Sequence, residues 1–241
     1  MVRVCNLSFA YDKENVLENV NFEYKSGDFL AIVGPNGGGK STLLKLILGL
    51  LTPTDGTIEL LSNKIGYVPQ NTMPNGEFPI SVLDVVLMGR LKGNRFGFYK
   101  QDDRKTAFEA LEKVGMRQYA HRKIGELSMG QRQKIFIARA LTCEAELLIL
   151  DEPTASVDMQ GQVQIYNILK SLNAEKGIIV VSHDMDVVLG YATKIAYVSR
   201  TLFMHEASQL TKEAFFEKLQ SSGKHNCPVD IFIANTCTHE R

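Results

Sequence analysis

Residues 34–42 carry the strongest pattern in the chain and read Gly34-Pro35-Asn36-Gly37-Gly38-Gly39-Lys40-Ser41-Thr42. They fit G-x-x-x-x-G-K-S, with an apolar run at 29–33 before them and another at 43–48 after them. A strand, a glycine loop and a helix in this order are the context of a phosphate-binding loop. Glycines let backbone N–H groups approach phosphate oxygens, and the helix N-terminus adds the positive end of its dipole. We predict that Lys40 reaches the β- and γ-phosphates of ATP, that Ser41 ligates Mg²⁺, and that the other nucleotide contacts include Gly34, Asn36, Gly37, Gly39 and Thr42.

The composition is that of a globular protein without a signal for nucleic-acid binding. Hydrophobic residues make up 44% of the 241 residues, and 27 basic residues balance 27 acidic ones. Because there is no basic excess, we expect no nucleic-acid partner. The start of the chain lacks the apolar core of a signal peptide, and no apolar run is long enough to span a bilayer. We therefore expect any membrane role to come through a partner, and we expect free thiols at Cys5, Cys143, Cys227 and Cys237.

Apolar runs and turn signals predict an α/β protein with a mixed sheet. The predicted strands are Val2–Leu7, Val20–Tyr24, Thr57–Leu60, Lys64–Pro69, Leu147–Leu150, Ile178–Val181 and Ile195–Val198. The last of these is expected to be the final core strand, and residues 9–11 are expected to form a turn that exposes Tyr11. Helical periodicity from 81 to 142 predicts a helical insertion, and an amphipathic helix is predicted from Val163, Tyr166, Leu169 and Leu172.

Two acidic residues follow the apolar strand at 147–150. Ligands in open α/β sheets bind beyond the carboxyl ends of the strands, so Asp151 and Glu152 are expected near the phosphate loop. Asp151 has the position of an acid that helps to hold Mg²⁺. Glu152 is placed to accept a proton from an attacking water or to orient it.

The pentapeptide Leu127-Ser-Met-Gly-Gln131 precedes a predicted helix and allows two interpretations. Ser128 and Gln131 have the spacing of a capping box, which is a structural role. The same helix N-terminus also suits a second phosphate site. The phosphate loop already supplies one helix N-terminus for a nucleotide. A second one would be needed only if two chains met at the site.

Taken in order, these motifs resemble those of the ATP-binding-cassette ATPases. The resemblance covers roughly residues 1–205 and rests on Gly34–Thr42, Gln70, Leu127–Gln131, Leu147–Glu152 and His183. It implies a P-loop NTPase (RecA-like) core at 1–80 and 146–205 with an N-terminal antiparallel β subdomain. It also implies an inserted helical subdomain at 81–145, which leaves residues 206–241 as a C-terminal extension.

In that family two cassettes pair head to tail, and each ATP lies between one phosphate loop and the partner's pentapeptide. The resemblance implies that the pentapeptide residues Ser128, Gly130 and Gln131 bind nucleotide in trans and that Asp158 couples the two sites. It further implies that Tyr11 stacks on adenine and that Gln70 contacts Mg²⁺ and the attacking water. His183 is implied to hold the γ-phosphate and the same water. Family members commonly have glycine where this chain has Met129, and leucine where it has Val157.

Three segments, 78–90, 153–158 and 227–230, resemble the zinc and manganese importer branch. That likeness implies a separate integral-membrane permease, indirectly a periplasmic or surface substrate-binding protein, and a peripheral location at the cytoplasmic face of the cell membrane. Residues 73–90 are expected to offer the permease a groove. Importers of iron chelates or cobalamin share much of this pattern, and a soluble ATPase of iron–sulfur-cluster assembly is the competing class.

The C-terminal tail carries four residues of types that ligate zinc. They form two pairs, His225 with Cys227 and Cys237 with His239. We hypothesise a zinc site there, although the spacing matches no standard zinc pattern. The alternative is a mobile tail with incidental thiols.

Overall fold

The computed structural model describes residues 2–70, 79–91 and 99–207. In chain order the strands and helices are β1 (Val2–Tyr11), β2 (Glu14–Tyr24), β3 (Phe29–Val33), α1 (Lys40–Ile47), β4 (Asp55–Leu60), β5 (Ile65–Val68), α2 (Val82–Leu87), α3 (Gln101–Lys113), α4 (Met129–Leu141), β6 (Leu147–Asp151), α5 (Met159–Asn173), β7 (Gly177–Val181), α6 (Met185–Leu189), β8 (Lys194–Ser199) and β9 (Thr201–Glu206). The chain forms two compact units: the first joins Met1–Leu61 to Val181–Arg241, and the second is Ser62–Val180. The phosphate loop belongs to the first unit, and the strand-end acids belong to the second.

The first unit contains an antiparallel sheet in the order β2-β1-β4, as the resemblance implies. Buried and exposed positions alternate along β1 because only one face of this sheet packs against the core. The predicted turn at 9–11 is wrong: Phe9 pairs with Leu17 and Tyr11 with Glu14 inside the hairpin. The chain reverses one step later, where Asp12 takes a positive φ of 51°.

A second group of strands in the first unit positions the phosphate loop. The wholly buried β3 pairs in parallel with β8, and β8 pairs antiparallel with β9. The prediction that 195–198 is the last strand is wrong, because Thr201–Glu206 forms β9 after a tight turn at Arg200. Half of β9 faces solvent, so it lacks the continuous apolar run by which the inner strands were found.

The second unit combines the helices α2 to α5 with strands in the order β5-β6-β7. Strands β6 and β7 are buried along their whole length, as expected of parallel strands covered on both faces. On α5 the buried residues are Ile165, Tyr166, Leu169 and Leu172. Val163, which was predicted on that face, is 41% exposed because it lies two residues before Ile165, where the buried stripe begins, and is rotated off that face. Helices α2, α3 and α4 fall inside the range predicted for a helical subdomain, whose boundaries stay a prediction.

The helices of the described ranges are short, and α5 is the longest of them with 15 residues. Within the described ranges none combines the length and the apolar character that crossing a bilayer requires.

Candidate nucleotide site

The phosphate loop connects the buried strand β3 to helix α1 in the first unit. Gly34 has a φ of +145°, and a Cβ there would overlap the backbone carbonyl oxygen of Val198 in β8. Gly37 has a φ of +77° with no atom within 4 Å of an added Cβ, and Gly39 caps α1 with a φ of 101°. Glycine is therefore required at Gly34 by both conformation and space. The loop therefore lies close against β8. Its glycines place backbone, without side chains, before the N-terminus of α1.

The side chain of Lys40 folds back over this loop. It is 6% exposed, and its Nζ donates hydrogen bonds to the carbonyl oxygens of Gly34 at 2.9 Å and Pro35 at 2.8 Å. The first turn of α1 contains no acidic residue and includes the half-buried Ser41 and Thr42. A cation and a helix N-terminus thus lie at one place, which is the electrostatic arrangement that binds phosphate.

Two further predicted residues of the first unit are accessible. His183 is exposed and follows Ser182, whose backbone N–H donates to the carbonyl of Ile32 in β3 at 3.1 Å. His183 therefore emerges beside the end of the strand that leads into the phosphate loop. Tyr11 is 45% exposed, and its ring meets the ring of Phe9 edge to face at 4.8 Å between centroids. Nearly half of the Tyr11 residue is therefore accessible to solvent.

The strand-end residues of the second unit form a close polar group. Gln70 Nε2 donates a 2.6 Å hydrogen bond to Glu152 Oε2, a contact that sequence reasoning did not predict. Glu152 takes a φ of 48°, a conformation that costs a non-glycine residue about 1–3 kcal/mol and that recurs at functional sites as well as in turns. Asp151 is 6% exposed at the end of β6. Burial, and then the negative charge of Asp151, raises the pKa of Tyr67.

Helix α4 begins at the pentapeptide, and its first turn confirms the capping box. Ser128 Oγ accepts from the backbone N–H of Gln131 at 3.3 Å, and Gln131 Oε1 accepts from the backbone N–H of Ser128 at 3.0 Å. Nearby, Asp158 caps α5 by accepting from the N–H of Gly161 at 2.9 Å. The N-termini of α4 and α5 border one open cleft of about 560 Å³, lined in part by Ser128, Gly130, Gln131 and Asp158. The pentapeptide residues and Asp158, to which the resemblance assigns roles across the dimer, therefore line the same cleft.

Two residues that the motifs did not single out also lie near this helix start. Lys134 Nζ donates to Gln164 Oε1 at 2.7 Å, and partial burial lowers the pKa of Lys134. Gln133 is 9% exposed, although the other buried residues of α4 are apolar. In the sequence, Gln133 could be recognised only as an amide among apolar residues. That contrast is visible only once the buried face of α4 is known.

The predicted Mg²⁺ ligands have suitable chemistry. Ser41, Gln70 and Asp151 offer a hydroxyl, an amide and a carboxylate, and Mg²⁺ prefers such oxygen ligands. Gln70 uses its nitrogen towards Glu152, which leaves its amide oxygen for a cation. Nothing in these side chains conflicts with a magnesium site.

The zinc hypothesis for the tail is not tested, since His225, Cys227, Cys237 and His239 lie outside the described residues. Among the residues that are described, no group of three or more His, Cys, Asp or Glu side chains has the geometry for a metal ion. Within the described residues Cys5 and Cys143 form no disulfide, in agreement with the prediction for these two positions. Of the proposed permease groove, residues 79–90 are described and 73–78 are not.

Sequence comparison relates the chain to transport ATPases. The family model described as ABC transporter matches residues 17–155. The zinc uptake system ATP-binding protein ZurA of Listeria innocua is 41% identical over 217 residues, which cover 84% of this chain and 84% of that protein. The manganese transport system ATP-binding protein MntB of Halalkalibacterium halodurans is 40% identical over 216 residues, or 85% of each chain.

Solved structures agree with this relationship. A chain of an ABC transporter described as of metal-chelate type, in an inward-facing conformation, is 37% identical with a TM-score of 0.81, over 88% of this chain and 85% of that one. A dimeric ATP-binding cassette in a post-hydrolysis state, bound to ADP and Pi, is 29% identical with a TM-score of 0.71, over 86% of this chain and 99% of that one. These neighbours confirm the predicted P-loop NTPase fold. The chain belongs to the ABC transporter family and is one of its ATP-binding-cassette ATPases.

Proposed function

We propose that this chain is the ATP-hydrolysing subunit of a bacterial importer that moves zinc or manganese ions through a separate permease. The observation that carries the proposal is the identity of 40% or more, over more than four fifths of the chain, to ATP-binding proteins of zinc uptake and manganese transport. One related transporter is described as of metal-chelate type. For this reason iron chelates and cobalamin remain the second class of cargo in the proposal.

Nucleotide binding in this proposal begins at the phosphate loop. The ammonium of Lys40 exchanges its contacts with the carbonyls of Gly34 and Pro35 for the β- and γ-phosphates of ATP. The backbone N–H groups of 37–42 surround the phosphates, and the exposed ring of Tyr11 stacks on adenine. Ser41, Gln70 and Asp151 would hold Mg²⁺, which when bound neutralises phosphate charge.

Hydrolysis then depends on Glu152. Its carboxylate, oriented by the 2.6 Å hydrogen bond from Gln70, accepts a proton from the water that attacks the γ-phosphorus in line. The bond between the γ-phosphorus and the β,γ-bridging oxygen breaks, and ADP leaves with that oxygen. His183, exposed at a strand end, donates a hydrogen bond to the γ-phosphate. The unfavourable backbone of Glu152 is consistent with a carboxylate held for this step.

The second wall of each nucleotide site comes from another copy of the chain in this proposal. Ser128 is exposed, and Ser128, Gly130 and Asp158 line one open cleft on the second unit, a surface suited to meeting a partner's nucleotide. The related cassette bound to ADP and Pi is itself dimeric. Met129, 53% exposed at the same helix start, adds a side chain where glycine is common and makes closure of the dimer slower or weaker.

Coupling to the permease uses the segment that follows Gln70. In its described part Met88 is 41% exposed and Leu91 50% exposed, so apolar groups are available to a short permease helix. The chain then lies peripherally on the cytoplasmic face of the cell membrane, and a periplasmic or surface protein delivers the cargo to the permease.

Uptake and co-purification test this proposal together. Cells that carry the parental chain should accumulate labelled zinc or manganese faster than cells that carry Lys40→Ala, and the tagged chain should co-purify from detergent extract with an integral-membrane protein. Uptake of iron chelates or cobalamin alone would move the cargo to the second class. Co-purification with a soluble iron–sulfur scaffold and no membrane protein would refute the importer.

A further inference from the structure

A cleft of about 170 Å³ in the second unit has helix α4 on one side and Glu152 on the other. The residues of α4 that line it recur at the spacing i, i+3, i+4 and i+7, which places them on one face of the helix: Met129, Arg132, Gln133 and Phe136. The remaining lining comes from Gln70, from Glu152 and from the loop at 153–157. The cleft therefore joins the helix that begins at the pentapeptide to the proposed catalytic carboxylate.

Gln133 is the least exposed polar side chain lining this cleft. It is 9% exposed, and its Nε2 has no hydrogen-bond partner within residues 2–70, 79–91 and 99–207. Buried amides without a partner are rare in folded proteins because the lost hydrogen bond to water is not replaced. A polar cleft of this size admits water, and water is the usual partner of such a group.

Arg132 and the Gln70–Glu152 pair, which also line the cleft, already have partners. Arg132 donates to the carbonyl oxygens of Leu127 at 2.9 Å and Gly125 at 2.8 Å, so its guanidinium fastens the segment before α4. Gln70 donates to Glu152. Gln133, whose Nε2 lacks a partner, therefore lines the same cleft as Gln70 and Glu152, whose side-chain oxygens can accept hydrogen bonds.

We propose that Gln133 is a positioning residue for hydrolysis: its side-chain amide turns Nε2 towards a water in this cleft, and that water donates a hydrogen bond to the Gln70–Glu152 pair. The inference rests on the proposed role of Glu152. It gives the chain an internal connection, since α4 starts at Ser128, which faces the partner's nucleotide, and carries Gln133 little more than one turn later. Nucleotide contact at the helix start is thereby transmitted to the carboxylate of the same chain.

The test compares Gln133→Leu with Gln101→Leu, the same substitution at an exposed glutamine outside the cleft. Loss of one orienting hydrogen bond should lower kcat by about three- to tenfold while KM for ATP stays within about twofold. The unfolding midpoint of Gln133→Leu should not fall, because leucine fills similar space without an unpaired amide. A kcat for Gln133→Leu that matches Gln101→Leu would overturn the proposal.

A second variant tests the donor of Gln133 without shortening the side chain. A carboxylate at this position accepts hydrogen bonds but donates none, so Gln133→Glu should lower kcat at least as far as Gln133→Leu while KM for ATP stays within about twofold. A kcat for Gln133→Glu equal to that of the parent contradicts the proposal even if Gln133→Leu is impaired. Glu152→Gln is assayed in parallel: if it hydrolyses ATP like the parent, the role of Glu152 fails and this inference with it. If only the Gln133 variants behave like the parent, the inference alone fails.

Discussion

Alanine at three glycines of the phosphate loop separates backbone strain from steric overlap. Gly37 has a φ of +77° and open space around its Cα, so alanine there adds strain alone. Gly38 lies outside the left-handed region, but an added Cβ would lie 2.7 Å from the carbonyl oxygen of Val198, so alanine adds overlap alone. Gly34 combines both effects, with a φ of +145° and contact with the same carbonyl.

The magnitudes follow from these two causes. Positive φ costs an L-residue about 1–2 kcal/mol, and overlap with backbone that cannot rotate away costs about 1–3 kcal/mol. We expect a loss of unfolding free energy of about 1–2 kcal/mol for Gly37→Ala and about 1–3 kcal/mol for Gly38→Ala. For Gly34→Ala the sum is about 2–5 kcal/mol. Alanine restricts the unfolded chain similarly in all three variants, so this contribution cancels in the comparison.

Urea unfolding followed by far-UV circular dichroism measures these differences, since the chain contains no tryptophan to report by fluorescence. The three variants should share the parental m-value and differ in midpoint, with Gly34→Ala lowest. If Gly34→Ala were no less stable than Gly37→Ala, the close approach of Gly34 to β8 would be refuted.

Three further predictions concern the second unit. Asp158→Ala should lower the unfolding free energy by about 1 kcal/mol through loss of the α5 cap, whereas Asp158→Asn, which keeps a capping oxygen, should retain the parental urea midpoint. The hydrogen bonds from Arg90 lower the pKa of Asp103 and of Glu144, so the folded state gains stability above the unfolded-state values and loses it as the pH falls below about 4; urea midpoints of Arg90→Met should decline less over that range than those of the parent. Met129→Gly should increase the ATP-dependent dimer seen by gel filtration, and an unchanged dimer fraction would show that Met129 does not hinder closure.

Three features of the candidate site could be predicted because each is encoded by a local motif. The phosphate loop, the acids after β6 and the capping box at Ser128 each depend on residues close in sequence, and such patterns carry their own geometry. The hydrogen bond between Gln70 and Glu152 joins residues 82 positions apart. No local pattern indicates that contact, because it depends on how strands β5 and β6 pair.

The errors in the fold have the same cause. Strand β9 is half exposed and was missed because its residues do not form an apolar run, although pairing with β8 holds it in place. Val163 was assigned to a buried face by periodicity, yet the face is set by what packs against α5 and not by the helix alone. Tertiary contacts, and not the local sequence, determine the pairing of β9 and the exposure of Val163.

The most direct test of the account is the behaviour of Glu152→Gln with ATP, since the central claim is that this carboxylate drives hydrolysis between two copies of the chain. The amide cannot accept the proton of water but keeps the size of the side chain and a partner for Gln70. Phosphate release and size-exclusion chromatography with light scattering should show turnover reduced at least a hundredfold, roughly the contribution of a general base, with a dimer that forms in ATP and dissociates in ADP. Turnover equal to that of the parent, or a monomer that stays monomeric in ATP, would contradict the claim.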